Sequence, residues 1–229
     1  MQIITSLGQP ALYLFALGFG MGAVFKEAGR GNYIQFVAPG IIAMTVLFSS
    51  IFSGIALLWD RQFGILKETL VAPVPRIYIM LGRTSGSATV ALLQGLLVAL
   101  VCLIAGFRPV QPALLPAAVL FVGLIGLVFA ALGAAIGSTL KDMQAFQMVM
   151  NFVVMPLFFL SGALYPLDHL PHALAILTRL DPLSYGVDGM RAVLLQQSHF
   201  GVMTDALVLV ALAVVLLCVA AWRFTKIEV

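Results

Sequence analysis

Charged residues are scarce. Asp, Glu, Lys and Arg make up 9% of the 229 residues, against 62% apolar. Soluble domains run at about 25% charged and 45–50% apolar, and a chain of this length has too much surface to hide such a surplus in a core. A soluble enzyme is excluded, and so is a disordered regulator, whose composition is the reverse. Cysteine is almost missing: Cys102 and Cys218 both sit inside apolar runs, so no disulfide framework is implied. The net charge of +3 is small and scattered and offers nucleic acid no basic patch. A phosphate-cradling G-x-x-x-x-G-K-[ST] loop is absent as well, because none of the four lysines follows a glycine. If ATP drives this protein, a second polypeptide must hydrolyse it.

What the sequence does contain is long charge-free runs. A hydrocarbon core about 30 Å thick takes ~20 apolar residues per helix, and six runs qualify: 3–25, 33–59, 84–106, 113–137, 145–164 and 206–222. They predict an all-α polytopic membrane protein with six transmembrane helices in a single domain, 1–229. The first run has no Lys or Arg before it and no small-residue cleavage signature, so it reads as a retained helix. Six spans put both termini on one side. A cytoplasmic placement leaves Arg61, Lys67, Arg76, Arg83, Lys141, Arg223 and Lys226 inside and Lys26, Arg30, Arg108, Arg179 and Arg191 outside, a narrow positive-inside excess.

None of the six runs carries an acid, a base or a His, which argues against an ion-driven carrier or channel. The polar residues at depth are neutral, chiefly Gln94 and Asn151. They suit hydrogen bonds between helices or contact with a substrate in a pathway. Small residues recur at spacing four, in Gly18 with Gly22, Ser49 with Ser53, Ser50 with Gly54, Gly82 with Gly86 and Gly133 with Gly137, and predict close helix approach. Pro156 is expected to bend the fifth span.

Two connections stand out. In DRQFGILKETLVAPVPRIYIMLGR, residues 60–83, Phe63, Leu66 and Leu70 recur at i, i+3 and i+7. Asp60, Arg61, Lys67 and Glu68 supply the polar side, and Pro73 and Pro75 end the pattern. The spacing predicts a surface helix of about three turns, roughly 18 Å long. Such a helix either anchors at the interface or docks a soluble partner. The second connection runs from Tyr165 to Asp205. Pro171 suits a first helical position, Asp181 an N-cap and Pro182 the start of a second helix. Both helices are too short to span, so a re-entrant or interfacial cap is expected. Asp188 and Arg191, at i and i+3, predict a local pair. Asp168, His169 and His172 invite a metal reading, but no further ligands are evident, and a solvated loop is the simpler expectation.

Three strings in order complete the pattern: DRQFGILKETLVAPVPR, MQAFQMVMNFVVMPLFFLSGALYPLDHLP and DPLSYGVDGMRAVLL. Together with the six runs they resemble the type-2 ABC exporter permeases, in the branch of nodulation-factor and daunorubicin-type exporters. The resemblance covers nearly the whole chain. It implies a membrane subunit of the prokaryotic plasma (inner) membrane that works as a homodimer or with a sister permease. Two ABC ATPase subunits would bind ATP and Mg, leaving this chain without catalysis, cofactor or metal.

The resemblance also makes Asp60–Leu70 a cytoplasmic coupling helix, with Asp60, Arg61, Phe63 and Gly64 matching the family's D-R-E-F-G and Gln62 standing where Glu is usual. Leu66, Lys67, Glu68 and Leu70 complete that segment. Residues 165–200 become short outer-leaflet re-entrant helices, with Ser161, Gly162, Pro166, Leu167 and Asp168 on the S-G-x-x-x-P-L-D string and Pro182, Asp188 and Arg191 following. Family members carry an amphipathic helix before the first span, whereas here that span is expected almost at Met1. Drugs, as in multidrug efflux, glycolipids and lipid-linked glycans all fit as substrates. The alternative from another class is a non-transporting scaffold or regulatory subunit.

Overall fold

The structure is a computed structural model and describes residues 2–20, 22, 32–71, 73–140, 142–167 and 171–225. Among these the regular structure is entirely helical. In chain order the helices are α1 (Gln2–Gly20), α2 (Tyr33–Ile51), α3 (Gly54–Gln62), α4 (Ile65–Val71) and α5 (Arg76–Ile104). A short 3₁₀ turn, Pro112–Leu114, leads into α6 (Leu115–Thr139), followed by α7 (Met143–Leu160), α8 (His172–Leu180), α9 (Pro182–Leu195) and α10 (Val202–Thr225).

Five segments among the described residues are long and apolar enough to cross a membrane. They are Tyr33–Gln62, Arg76–Ile104, Pro112–Thr139, Met143–Leu160 and Val202–Thr225. The run expected as a first span, 3–25, is represented by α1, which is outside that set of five. The protein is therefore a multi-pass, all-helical membrane protein.

Helix α6 is central, packing against α10, α5, α2, α9 and α3. Its Phe121, Ile125, Val128 and Phe129 are fully enclosed by those neighbours. By contrast α7 is mostly exposed, with Met148, Phe152 and Phe159 on its open side, as expected of a helix facing lipid or another chain. Pro156 is carried within α7, which stays helical through it. The chain has two ends. One gathers α3, α4 and the start of α5, tied down by the Arg76 guanidinium donating to the Thr225 carbonyl at 2.9 Å. The other gathers α8, α9 and the 105–111 loop, where the Val110 N–H donates to the Leu194 carbonyl.

Several boundaries move from their expected places. Helix α5 starts at Arg76, eight residues before the charge-free run at 84, because Pro75 supplies a ready N-terminus and Arg76 and Arg83 sit at the polar end. The last helix likewise extends beyond 206–222 to take in Asp205 and Arg223. Absence of charge marks the hydrocarbon-facing part of a helix, and these helices continue past it. The fifth span stops at Leu160, not at 164, with Ser161 as its C-cap.

Candidate functional site

The surface helix expected over 60–70 is two pieces. Asp60 and Arg61 belong to the last turn of α3, and the chain breaks at Phe63–Gly64 before α4 begins. Gly64 has φ +78°, a left-handed conformation that glycine adopts at no steric cost, so the break is written into the residue. The break also separates the expected apolar stripe. Leu66 is fully buried with Leu57, Met80, Ala220 and Phe224, while Phe63 is 66% exposed. Leu70 and Lys67 have side chains outside the described set. Phe63 stacks on Trp59 at 5.1 Å, Ile65 is also exposed, and Glu68 is exposed beside them.

This turn is held from beneath by polar contacts. Asp60 forms an ion pair with Arg83 across 23 residues of sequence. Arg61 donates to the carbonyl of Leu140, the C-cap of α6. The result is a knuckle braced by these two contacts, with Phe63 and Ile65 exposed on it.

A cavity of about 750 Å³ opens between α1, α2, α3 and α5, with Pro10, Phe48, Phe52 and Val90 among its walls. Thr45, Ser49, Ser53 and Gln94 are its polar lining. The Thr45 and Ser53 hydroxyls donate to the carbonyls of Ile41 and Ser50. Gln94 lies in the wall formed by α5. Asn151 is elsewhere: it sits on the exposed side of α7 between Met148 and Phe152.

The opposite end is organised by α9, most of which is buried. Asp181 caps it as expected, Oδ1 accepting from the Leu183 N–H at 2.9 Å and Oδ2 from the Ser184 hydroxyl at 3.1 Å, with Pro182 in the first turn. Burial pushes the Asp181 carboxyl up to about 7, outweighing those bonds. Pro171 takes the N-cap of α8, one position ahead of the place expected. Asp188 and Arg191 spread their bonds over different partners. Asp188 accepts from the N–H groups of His199 and Phe200 and from the Ser198 hydroxyl. Arg191 donates to the carbonyls of Gly162, Ala163 and Phe36, with its guanidinium 3.9 Å above the Phe36 ring.

Arg191 thus fastens the Ser161–Gly162 turn to α2 and α9, bringing together residues that the S-G-x-x-x-P-L-D string listed only in a line. Ser161 is buried, and Pro166 lines a small cavity beside Asp188 and Arg191. Asp168 and His169 lie outside the described residues. Among the described residues no three His, Cys, Asp or Glu side chains are placed to hold a metal.

Sequence reasoning missed the Asp60–Arg83 pair, the carbonyl cluster at Arg191 and the cavity. A signal existed for the first: opposite charges close the polar ends of two consecutive apolar runs. Carbonyl clusters and cavities have no residue-level signal, since backbone oxygens and voids appear only after packing.

The chain matches the family of ABC-2 type transporters over residues 1–195. It is 30% identical over 196 residues to nodulation protein J of Rhizobium leguminosarum bv. trifolii, covering 85% of this chain and 74% of that protein. It is 30% identical over 210 residues to nodulation protein J of Rhizobium meliloti (strain 1021), covering 90% and 79%. A protein of Cyanophora paradoxa described as a transport permease, ycf38, is 32% identical over 199 residues, or 82% of this chain and 66% of that one.

Proposed function

The chain belongs to the ABC-2 type transporter family, and on that premise we propose that it is the membrane-spanning permease subunit of an ATP-driven exporter. Family membership makes it a transport permease with an ABC ATPase as the general partner. The finer reading is that two copies, or one copy and a sister permease, pair in the prokaryotic inner membrane with both termini in the cytoplasm. Two ATPase subunits bind ATP and Mg and dock on the knuckle formed by α3 and α4.

The observation that carries the proposal is the exposure of Phe63 and Ile65 above the anchored Leu66 and the Asp60–Arg83 pair. An apolar side chain exposed at a polar end and stacked on a neighbouring ring is suited to a partner pocket, because the stacking restricts its rotamers before docking. ATP-driven closure of the ATPases would push on this knuckle, and α3 and α5 would carry the displacement into the bundle. Such a push shifts access only as far as the two states differ in affinity for the ATPase and for the substrate.

The cavity supports an amphiphilic substrate such as a drug, a glycolipid or a lipid-linked glycan. Its walls are apolar, its polar groups are neutral hydroxyls and one amide, and no charged residue is among its described lining. In this reading the two short helices α8 and α9 form the outer-leaflet cap. The test is reconstitution with the cognate ATPase in liposomes holding a fluorescent short-chain glycolipid. Movement of the probe between leaflets should require the ATPase, ATP and Mg together; movement without any of them would reject the proposal.

A further inference from the structure

Asp205 stands in the first turn of α10, fully enclosed, and neither of its carboxyl oxygens has a hydrogen-bond partner. A buried polar group left in that condition calls for an explanation, because the desolvation cost is otherwise unrecovered. The acid beside it is Asp188 of α9, whose carboxylate is bonded to the His199 and Phe200 N–H groups in the turn that leads directly into the first turn of α10. Asp188 is well supplied with donors. Its Oδ1 accepts from the His199 N–H at 2.9 Å, and its Oδ2 from the N–H groups of His199 and Phe200 at 2.9 and 2.8 Å and from the Ser198 hydroxyl at 3.2 Å. Two acceptors face to face form no bond unless one of them carries a hydrogen. Asp205, with no donor of its own, is the one placed to carry it.

We propose that Asp188 and Asp205 form a proton-binding site in which the Asp205 carboxyl donates its O–H to the Asp188 carboxylate, latching α10 to α9 and to the 198–200 turn. A cation would serve less well. Calcium takes six to eight oxygen ligands and magnesium six in near-octahedral array, and no cluster of three acidic, His or Cys side chains exists among the described residues. A proton needs two oxygens, and two are present.

The surroundings fit a site that one proton makes neutral enough to bury. From α9, besides Asp188, come Tyr185, whose hydroxyl donates to the Arg179 carbonyl at 2.7 Å, and Arg191, whose guanidinium donates to three backbone carbonyls. His199 contributes its backbone N–H. Helix α6 has no titratable residue between Leu115 and Thr139. On α5, Cys102 is near this end, while Arg76, Tyr78 and Arg83 are at the other. Loss of the proton would leave two enclosed like charges in contact, which repel, and the latch would open. The proposal stands whatever the chain transports.

The test is thermal unfolding of the full chain in zwitterionic nanodiscs across pH, in an Asp181→Asn background that removes the titration of that nearby acid. The unfolding midpoint should fall as pH rises and the shared proton leaves. Asp205→Asn, whose amide N–H can still donate to Asp188, should remove most of that slope. Asp188→Asn should lower the slope in part, leaving what the enclosure of Asp205 alone supplies, and carries the test if the first variant fails to fold. An infrared carbonyl band of a protonated carboxyl should be present in the background protein and missing in Asp205→Asn. Slopes unchanged in both variants would overturn the proposal. So would recovery of the high-pH midpoint on adding calcium or magnesium, which would make the pair a metal site.

Discussion

Gly54 and Gly133 pass so close that a Cβ on Gly54 would overlap the Gly133 carbonyl, and one on Gly133 would overlap the carbonyl of Ile51. One turn along, a Cβ on Gly137 would stand 2.8 Å from the Gly54 oxygen. Lipid gives helices no hydrophobic reason to associate, so this contact rests on backbone approach that only glycine permits. Gly54→Ala and Gly133→Ala are each expected to cost about 1–3 kcal/mol as overpacking strain. Thermal unfolding in detergent measures it, and Gly82→Ala, where a Cβ meets nothing within 4 Å, is the control.

That crossing shows how far the sequence was readable. Small residues at spacing four, Ser50 with Gly54 and Gly133 with Gly137, already marked both faces, because close packing in lipid needs small side chains, though the same spacing at Gly82 and Gly86 marks no close approach. Five of the six long helices followed from charge-free runs in the same way, while the first run, 3–25, yields α1, which is outside the five segments long and apolar enough to cross. Their ends did not: Arg76, Arg83 and Asp205 are charged yet helical, and hydrocarbon thickness says nothing about where a helix stops beyond it. The α3–α4 break at Gly64 was hidden by an i, i+3, i+7 pattern that Phe63 and Leu66 satisfy in sequence but divide in space.

Burial decides which residue tests docking. Leu66 is fully buried, so Leu66→Ala should cost about 2–5 kcal/mol of stability, and any loss of transport would follow from that. Phe63 is 66% exposed. Phe63→Asp should leave the unfolding temperature almost unchanged while removing ATPase coupling, read as transport-linked ATP hydrolysis in the reconstituted complex.

Arg191 is expected to be irreplaceable by lysine. Its planar fork donates to the Gly162 carbonyl at 2.8 Å and the Ala163 carbonyl at 3.2 Å while stacking on Phe36. A single ammonium cannot match that geometry. Arg191→Lys should destabilise the fold by about 1–3 kcal/mol. Faster proteolysis around residues 161–167 is the readout, with the α3–α4 end unaffected.

Asp181 gives stability a definite pH dependence. Burial raises its carboxyl from an ordinary 3.8 to about 7, so the folded chain binds this proton more tightly than the unfolded chain does. The stability it contributes is full below the unfolded value and is lost as pH rises through about 7. Asp181→Asn keeps an equally good cap and should remove Asp181's share of the pH dependence between those two values, leaving the slope that the Asp188–Asp205 pair supplies.

The central claim is that a separate ATPase grips the α3–α4 knuckle. Site-specific photo-crosslinking in native membranes, from a probe replacing Phe63 and separately from one replacing Leu177 on α8, tests it directly. The account predicts that mass spectrometry finds an ATPase with a phosphate-binding loop captured from position 63 and absent from position 177. Capture of the ATPase from 177, or of no ATPase from 63, would contradict it.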